Sequence, residues 1–93
     1  MVENIIQTRR GISEKISNVS SSEAKDIEKA LYALRFTNFR RLESVKKLYP
    51  IKYHEKDIKA YGYRINSYMR FLIIVDNDGI KIVDFVDMRN LER

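Results

Sequence analysis

An α+β fold, with two N-terminal helices packed on a small twisted antiparallel sheet of three or four strands, is predicted by three observations. The last third of the chain alternates apolar and polar residues with the two-residue period of strands. Two segments ahead of residue 35 repeat apolar residues at helical spacing. The 93-residue length holds one small hydrophobic core and not two, so residues 1–93 are read as a single domain.

Val2, Ile5 and Ile6 predict a short first strand ending at Thr8, whose hydroxyl is placed to cap a helix. Ile12, Ile16 and Val19 fall at i, i+4 and i+7, one face of a helix over residues 9–18, which Gly11 weakens. Ser20 to Ser22 interrupts that helix. Ser20 with Glu23 three residues later is a capping box, and it starts a second helix through residue 34 with Ile27, Leu31 and Leu34 as the buried stripe.

Residues 35–59 hold the single proline, Pro50, in a dense mixture of Lys, Arg and Tyr, and read as a basic loop with one short helix over 40–48. That is long for a structureless connection, so the segment either is functional or contains a further element. Beyond it, Tyr61, Tyr63 and Ile65 alternate with Gly62 and Arg64, and Met69, Phe71, Ile73 and Val75 alternate with Arg70, Leu72 and Ile74. Asp76-Asn77-Asp78-Gly79 closes a hairpin, because Asp and Gly tolerate the positive φ of tight turns, and residues 80–86 form its second arm. The expected core is Ile12, Ile16, Ile27, Leu31, Leu34, Phe71, Ile73, Val75, Ile82 and Phe85.

The absence of cysteine excludes a disulfide framework and a thiolate metal site, and fits a reducing cytosol. The longest apolar run of the strand region, residues 71–75, is far below the ~20 residues of a membrane span, and a signal-peptide pattern is lacking, so a cytoplasmic protein with no membrane association is expected. The net charge of +5 is unevenly placed: residues 1–34 balance, residues 35–70 carry +7 and residues 71–93 carry −2. Eight of the ten aromatic residues lie between positions 36 and 71, so cations and stackable rings share one region. That distribution fits a nucleic-acid footprint, and equally fits tyrosines packing a small core beneath a solvated basic surface.

The three glycines stand apart and make no phosphate-binding loop, and the single histidine excludes a paired-histidine zinc site; no metal or cofactor is expected. Asp76-Asn77-Asp78 looks like the start of a calcium loop, but Lys81 stands where the turn glycine belongs and Asp87 where a glutamate belongs, so the segment reads as a hairpin turn. His54 has the one side chain with an ordinary pKa near neutrality; between Tyr53 and Glu55 it reads as a solvated loop residue, with general base as the sharper alternative. Lys46, Lys47, Lys52, Lys56 and Lys59 read singly as solvated surface and together as a charge that would neutralise a phosphate backbone.

Arg64 and Arg70 lie on adjacent predicted strands and Arg89 follows the third, so strand pairing would gather three guanidinium groups near one sheet surface. Guanidinium forks match phosphate oxygens bidentately and suit the dianionic phosphorane formed when a ribose 2′-OH attacks its neighbouring phosphate. The competing expectation is that Arg64 and Arg70 pair with Asp84 and Asp87 across the sheet.

The order of elements, together with Tyr63-Arg64-Ile65, Ser67-Tyr68-Met69-Arg70-Phe71, the turn at 76–79 and residues 83–89, resembles the RelE/ParE superfamily of toxin–antitoxin toxins over nearly the whole chain. The resemblance implies a ribosome-dependent mRNA endoribonuclease with Arg70, Arg89 and Arg64 as catalytic residues and Lys46, Lys47, Lys52, Lys59 and His54 as RNA contacts. It further implies a cognate antitoxin whose acidic amphipathic segment folds over the basic groove, with the ribosome and mRNA as the remaining partners. The chain departs from the RNase pattern in having no Tyr or His after Arg89. That departure keeps open a non-enzymatic inhibitor of DNA gyrase, or an attenuated member that only binds RNA or antitoxin.

Overall fold

The computed structural model describes residues 3–39, 45–51, 60–76 and 79–90. Among these, strand β1 (Ile5–Thr8) leads into helices α1 (Ile12–Ser17) and α2 (Ser21–Phe36). Strands β2 (Leu48–Ile51), β3 (Ala60–Arg64), β4 (Met69–Asp76) and β5 (Gly79–Asp87) follow, and a single 3₁₀ turn, Met88–Asn90, comes last.

The capping box forms as expected. Ser20 Oγ accepts from the Glu23 amide at 3.2 Å, and Glu23 Oε1 accepts from the Ser20 amide at 2.9 Å, so two otherwise orphaned donors are satisfied reciprocally. At the other end of α2 the Asn4 side chain donates to the Leu34 and Thr37 carbonyls at 2.8 and 2.7 Å, tying the start of β1 to the helix C-terminus. Gly11 precedes α1 with φ +93°, a left-handed conformation that ends β1 and turns the chain into a helix shorter than expected.

The sheet departs from expectation in two ways. It has five strands in the order β1-β5-β4-β3-β2, and it is mixed: β1 pairs parallel with β5, Ile6 opposite Ile80, whereas the other three pairings are antiparallel. The parallel pairing follows from the path of the chain: after the two helices it re-enters the sheet at the far edge as β2, and three successive antiparallel pairings bring β5 back beside β1 running in the same direction. The extra strand, β2, lies inside the segment read as a basic loop. Residues 40–44 of the expected short helix lie outside the described residues, while 46–47 form a turn and Leu48 already belongs to β2. Pro50 is tolerated there because β2 is an edge strand and a missing donor on its outer side breaks no ladder.

The helices cover one face of the sheet. Ile12, Ile27 and Leu34 join Met69, Phe71, Ile73, Ile82 and Phe85 in one buried cluster, with Phe71 and Phe85 opposite each other in the β4–β5 ladder. Ile16, Leu31 and Val75 of the expected core are only partly buried, at its rim, whereas Tyr63, Ile65, Met69 and Ile80 are fully part of it. An irregularity in the ladder, Leu72 opposite Asp84 but Ile73 opposite Ile82, leaves Val83 as the extra residue of a bulge. Between β4 and β5, Asp76 Oδ1 accepts from the Gly79 amide at 3.0 Å, and no group of metal-ligating side chains occurs among the described residues. No helix among the described residues is long and apolar enough to cross a membrane.

Candidate functional site

Alternation along β3 and β4 sends every second side chain away from the helices. The register sets Arg64 directly opposite Arg70 and Gly62 opposite Leu72, so both arginines rise from the uncovered face of the sheet, about 5 Å apart at their Cα atoms. Neither pairs with a carboxylate among the described residues. Asp84 is engaged by Lys15 at 2.6 Å and Asp87 by Arg89 at 2.6 Å, so the cross-sheet pairs expected for Arg64 and Arg70 do not form.

Each arginine is oriented by neighbours that carry no net charge. Arg64 sits 5.5 Å from the ring centroid of Tyr49 on β2, a cation–π contact. That ring lies directly over Gly62: a Cβ there would come within 2.2 Å of Tyr49 Cζ, so the glycine is what lets the tyrosine settle on the sheet. Arg70 curls into the β3–β4 turn, where Nη1 donates to the carbonyls of Asn66 and Met69 and Nη2 to that of Ser67. A guanidinium has five N–H donors, so three carbonyl contacts leave two, Nε–H and one on Nη2, to bond phosphate oxygens.

The turn that holds Arg70 is itself fixed. Asn66 Oδ1 accepts from the Tyr68 and Met69 amides at 3.0 and 2.8 Å, and its Nδ2 donates to Asp26 on α2 at 3.1 Å. A second tie runs from the Tyr68 hydroxyl, which donates to Glu23 Oε2 at 2.6 Å.

Arg89 belongs to this second tie and not to the arginine pair. Its guanidinium stacks 3.8 Å from the Tyr68 ring centroid, chelates Asp87 through Nε and Nη2, and reaches Glu23 at 3.0 Å. The hydrogen bond from Arg89 holds Asp87 below the usual carboxylate range, and the hydrogen bonds from Tyr68 and the Ser20 amide do the same for Glu23. In return Asp87 raises the guanidinium pKa, and Glu23 raises that of the Tyr68 hydroxyl. The expected gathering of three guanidinium groups therefore reduces to two on the open face and a third neutralised on the helix side.

Lys46 and Lys47 are exposed in the turn before β2, and the Lys47 carbonyl accepts from the Arg64 amide at 2.8 Å, so the turn is bonded to the strand that carries Arg64. Lys52, His54, Lys56 and Lys59 lie outside the described residues. Tyr61 faces the core side, away from the arginine pair. Sequence reading missed Tyr49, Asn66 and Glu23 as parts of this region; the Asn66-Ser67 step between two strands is a turn signal that would have pointed to the first tie.

Neither protein-family models nor curated proteins match this chain. Solved structures do. A chain of the archaeal RelE–RelB complex from Pyrococcus horikoshii superposes with a TM-score of 0.70 at 13% identity, over 95% of this chain and 97% of that one. A chain of the YoeB–YefM complex from Staphylococcus aureus gives 0.61 at 22% identity, over 91% and 97%. The RelB–RelE antitoxin–toxin complex from Methanococcus jannaschii gives 0.59 at 15% identity, over 91% and 93%. At such identities the likeness is one of fold, and it agrees with the fold expected from the arginine-bearing strands: the chain has the RelE-type α+β fold over nearly its whole length.

Proposed function

We propose that this protein is the toxin of a toxin–antitoxin pair and that it cleaves mRNA on the ribosome. The observation that carries the reading is the Arg64–Arg70 juxtaposition on the uncovered sheet face, with no carboxylate partner among the described residues. Two guanidinium groups held by a ring and by backbone carbonyls form a preorganised anion site, since no ion pair has to be broken before a phosphate enters. As a ribose 2′-oxygen bonds to the adjacent phosphorus and the 5′-oxygen leaves, Arg70 would stabilise the added charge through its free edge while Arg64 orients the strand. Lys46 and Lys47 border the same face and would neutralise flanking phosphates, with Lys52, Lys59 and His54 assigned to the same role. Arg89 contributes by bracing the turn that aims Arg70. The solved complexes include an antitoxin–toxin pair, which supports an antitoxin as partner, with an acidic segment for the basic face; the place of action would be the cytoplasm.

Neutralisation of Arg89 by Asp87 and Glu23 favours one second reading, an attenuated toxin that binds RNA and antitoxin without cutting. Primer extension on a defined mRNA in a reconstituted translation reaction separates the two. Ribosome-dependent cuts that fall at least a hundredfold in Arg70→Ala support cleavage. Intact mRNA in the presence of the folded protein sinks it, and a gyrase supercoiling assay then tests the inhibitor class.

A further inference from the structure

The uncovered sheet face has a second cationic border that the arginine pair does not use. Where β1 turns into α1, Arg9, Arg10 and Lys15 line a cleft of about 340 Å³ whose floor is Leu72, Val83 and Asp84. Leu72 and Asp84 are register partners on the same face as Arg64 and Arg70, and the bulge at Val83 turns an additional apolar side chain into this cleft. The two borders are therefore ends of one surface. Two strand spacings separate β3 from β5 and two residue steps separate Arg70 from Leu72, which places Asp84 about 12 Å from Arg64 at Cα level.

The charges of this corner are unequal. Lys15 is bonded to Asp84 at 2.6 Å, so that pair nets to zero, and it is more than a third exposed on both sides. Arg9 and Arg10 are exposed, and their side chains contact no carboxylate or ring among the described residues. Their backbone is fixed nonetheless: the Arg9 amide donates to the Ile82 carbonyl at 2.8 Å and its carbonyl accepts from the Ile12 amide at 3.2 Å. The result is a pair of unneutralised cations on a rigid corner, beside an apolar floor, at the far side of the face that carries the arginine pair.

We infer that Arg9 and Arg10 form a second phosphate-binding subsite, and that a single RNA strand crosses the sheet from the β2 edge, past Arg64 and Arg70, to this corner. The inference rests on the RNA reading given above. Charge complementarity identifies the occupant as a polyanion. Nucleic acid is favoured over an acidic peptide because the path combines separated cationic borders with the partly exposed ring of Tyr49, the alternation of charge and aromatic surface that suits a phosphate backbone and its bases.

The test is fluorescence anisotropy of a labelled single-stranded RNA decamer across a salt series, with a poly-glutamate peptide of equal charge as competitor. Wild type is compared with Arg9→Ala/Arg10→Ala and with Arg64→Ala/Arg70→Ala, and thermal melts confirm folding. Loss of two phosphate contacts should weaken decamer binding about tenfold or more and reduce the slope of log K against log salt by about 1.4, while a trinucleotide, too short to span both borders, binds unchanged. A decamer affinity and slope unchanged in Arg9→Ala/Arg10→Ala, with both reduced in Arg64→Ala/Arg70→Ala, overturns the second subsite and leaves the RNA reading standing. Peptide affinity lost in the corner variant with RNA affinity retained assigns the corner to a protein partner and overturns it also. Wild type that binds no RNA overturns it as well, and primer extension then judges cleavage separately.

Discussion

Tyr68 donates its hydroxyl proton to Glu23, forty-five residues earlier in the chain, at 2.6 Å. The bond joins the first turn of α2 to the β3–β4 turn, and because Arg89 stacks on the same ring, one tyrosine holds the helix layer, the arginine turn and the end of β5 together.

This cluster gives the fold a pH dependence with a definite sign. Glu23 and Asp87 titrate below their ordinary values of 4.5 and 3.8 in the folded state, so their contribution is complete above those values and is lost as pH falls through the depressed ones. Thermal midpoints should drop on acidification below about pH 4.5. Glu23→Gln should lower the midpoint at pH 7 and flatten the acid limb; an unchanged limb would remove Glu23 from the account. On the alkaline side the raised Tyr68 and Tyr63 pKa values predict a stability change beginning near 10.0, where the unfolded chain ionises: stability is lost as pH rises through the raised values, and Tyr68→Phe should remove the Tyr68 share and leave that of buried Tyr63.

Ser20 supplies half of the capping box without touching the core. Ser20→Ala should therefore cost about 1 kcal/mol, seen as a melting midpoint about 4–8 °C lower in circular dichroism, with the folded spectrum unaltered.

Gly79 opens β5 with φ +148°, and a Cβ there would stand 2.2 Å from the Ile5 carbonyl oxygen. The obstruction is backbone, so Gly79→Ala has to push β1 away. We expect a loss of roughly 1–3 kcal/mol and fast hydrogen exchange at the Arg9 amide, which bonds to Ile82 in the wild type. Retained protection at Arg9 would show that β1 accommodates the methyl group.

Gly62 offers the contrasting case, since the obstruction is the end of the Tyr49 side chain. Gly62→Ala should keep the fold, displace the ring from its place beside Arg64 and weaken single-stranded RNA about fivefold or more, read by anisotropy. Equal affinity would deny Tyr49 a stacking role.

How far the sequence reading reached depended on periodicity. Strands β3 to β5 and the Ser20–Glu23 box were legible because large apolar residues such as Tyr63, Phe71 and Ile73 recur at every second position and a capping box is a local signal. Strand β2 was not, because four residues interrupted by Pro50 have no period, and the direction in which β1 pairs is set by the far edge at which β2 re-enters the sheet and not by any local pattern. The Arg64–Arg70 pairing followed from adjacent strands. The diversion of Arg89 did not, since it needs Glu23 and Asp87 in three dimensions.

The parallel pairing of β1 with β5 also sets the order of events during synthesis. Residues 5–8 are made early but find their sheet neighbour among the described residues, 79–82, when most of the described chain has been translated. Until then Ile6 has no strand beside it, and the Arg9–Arg10 corner has no Ile82 carbonyl to fix it. The fold closes late, so a nascent chain still inside the ribosome that makes it has the arginines in sequence but not the surface that brings them together.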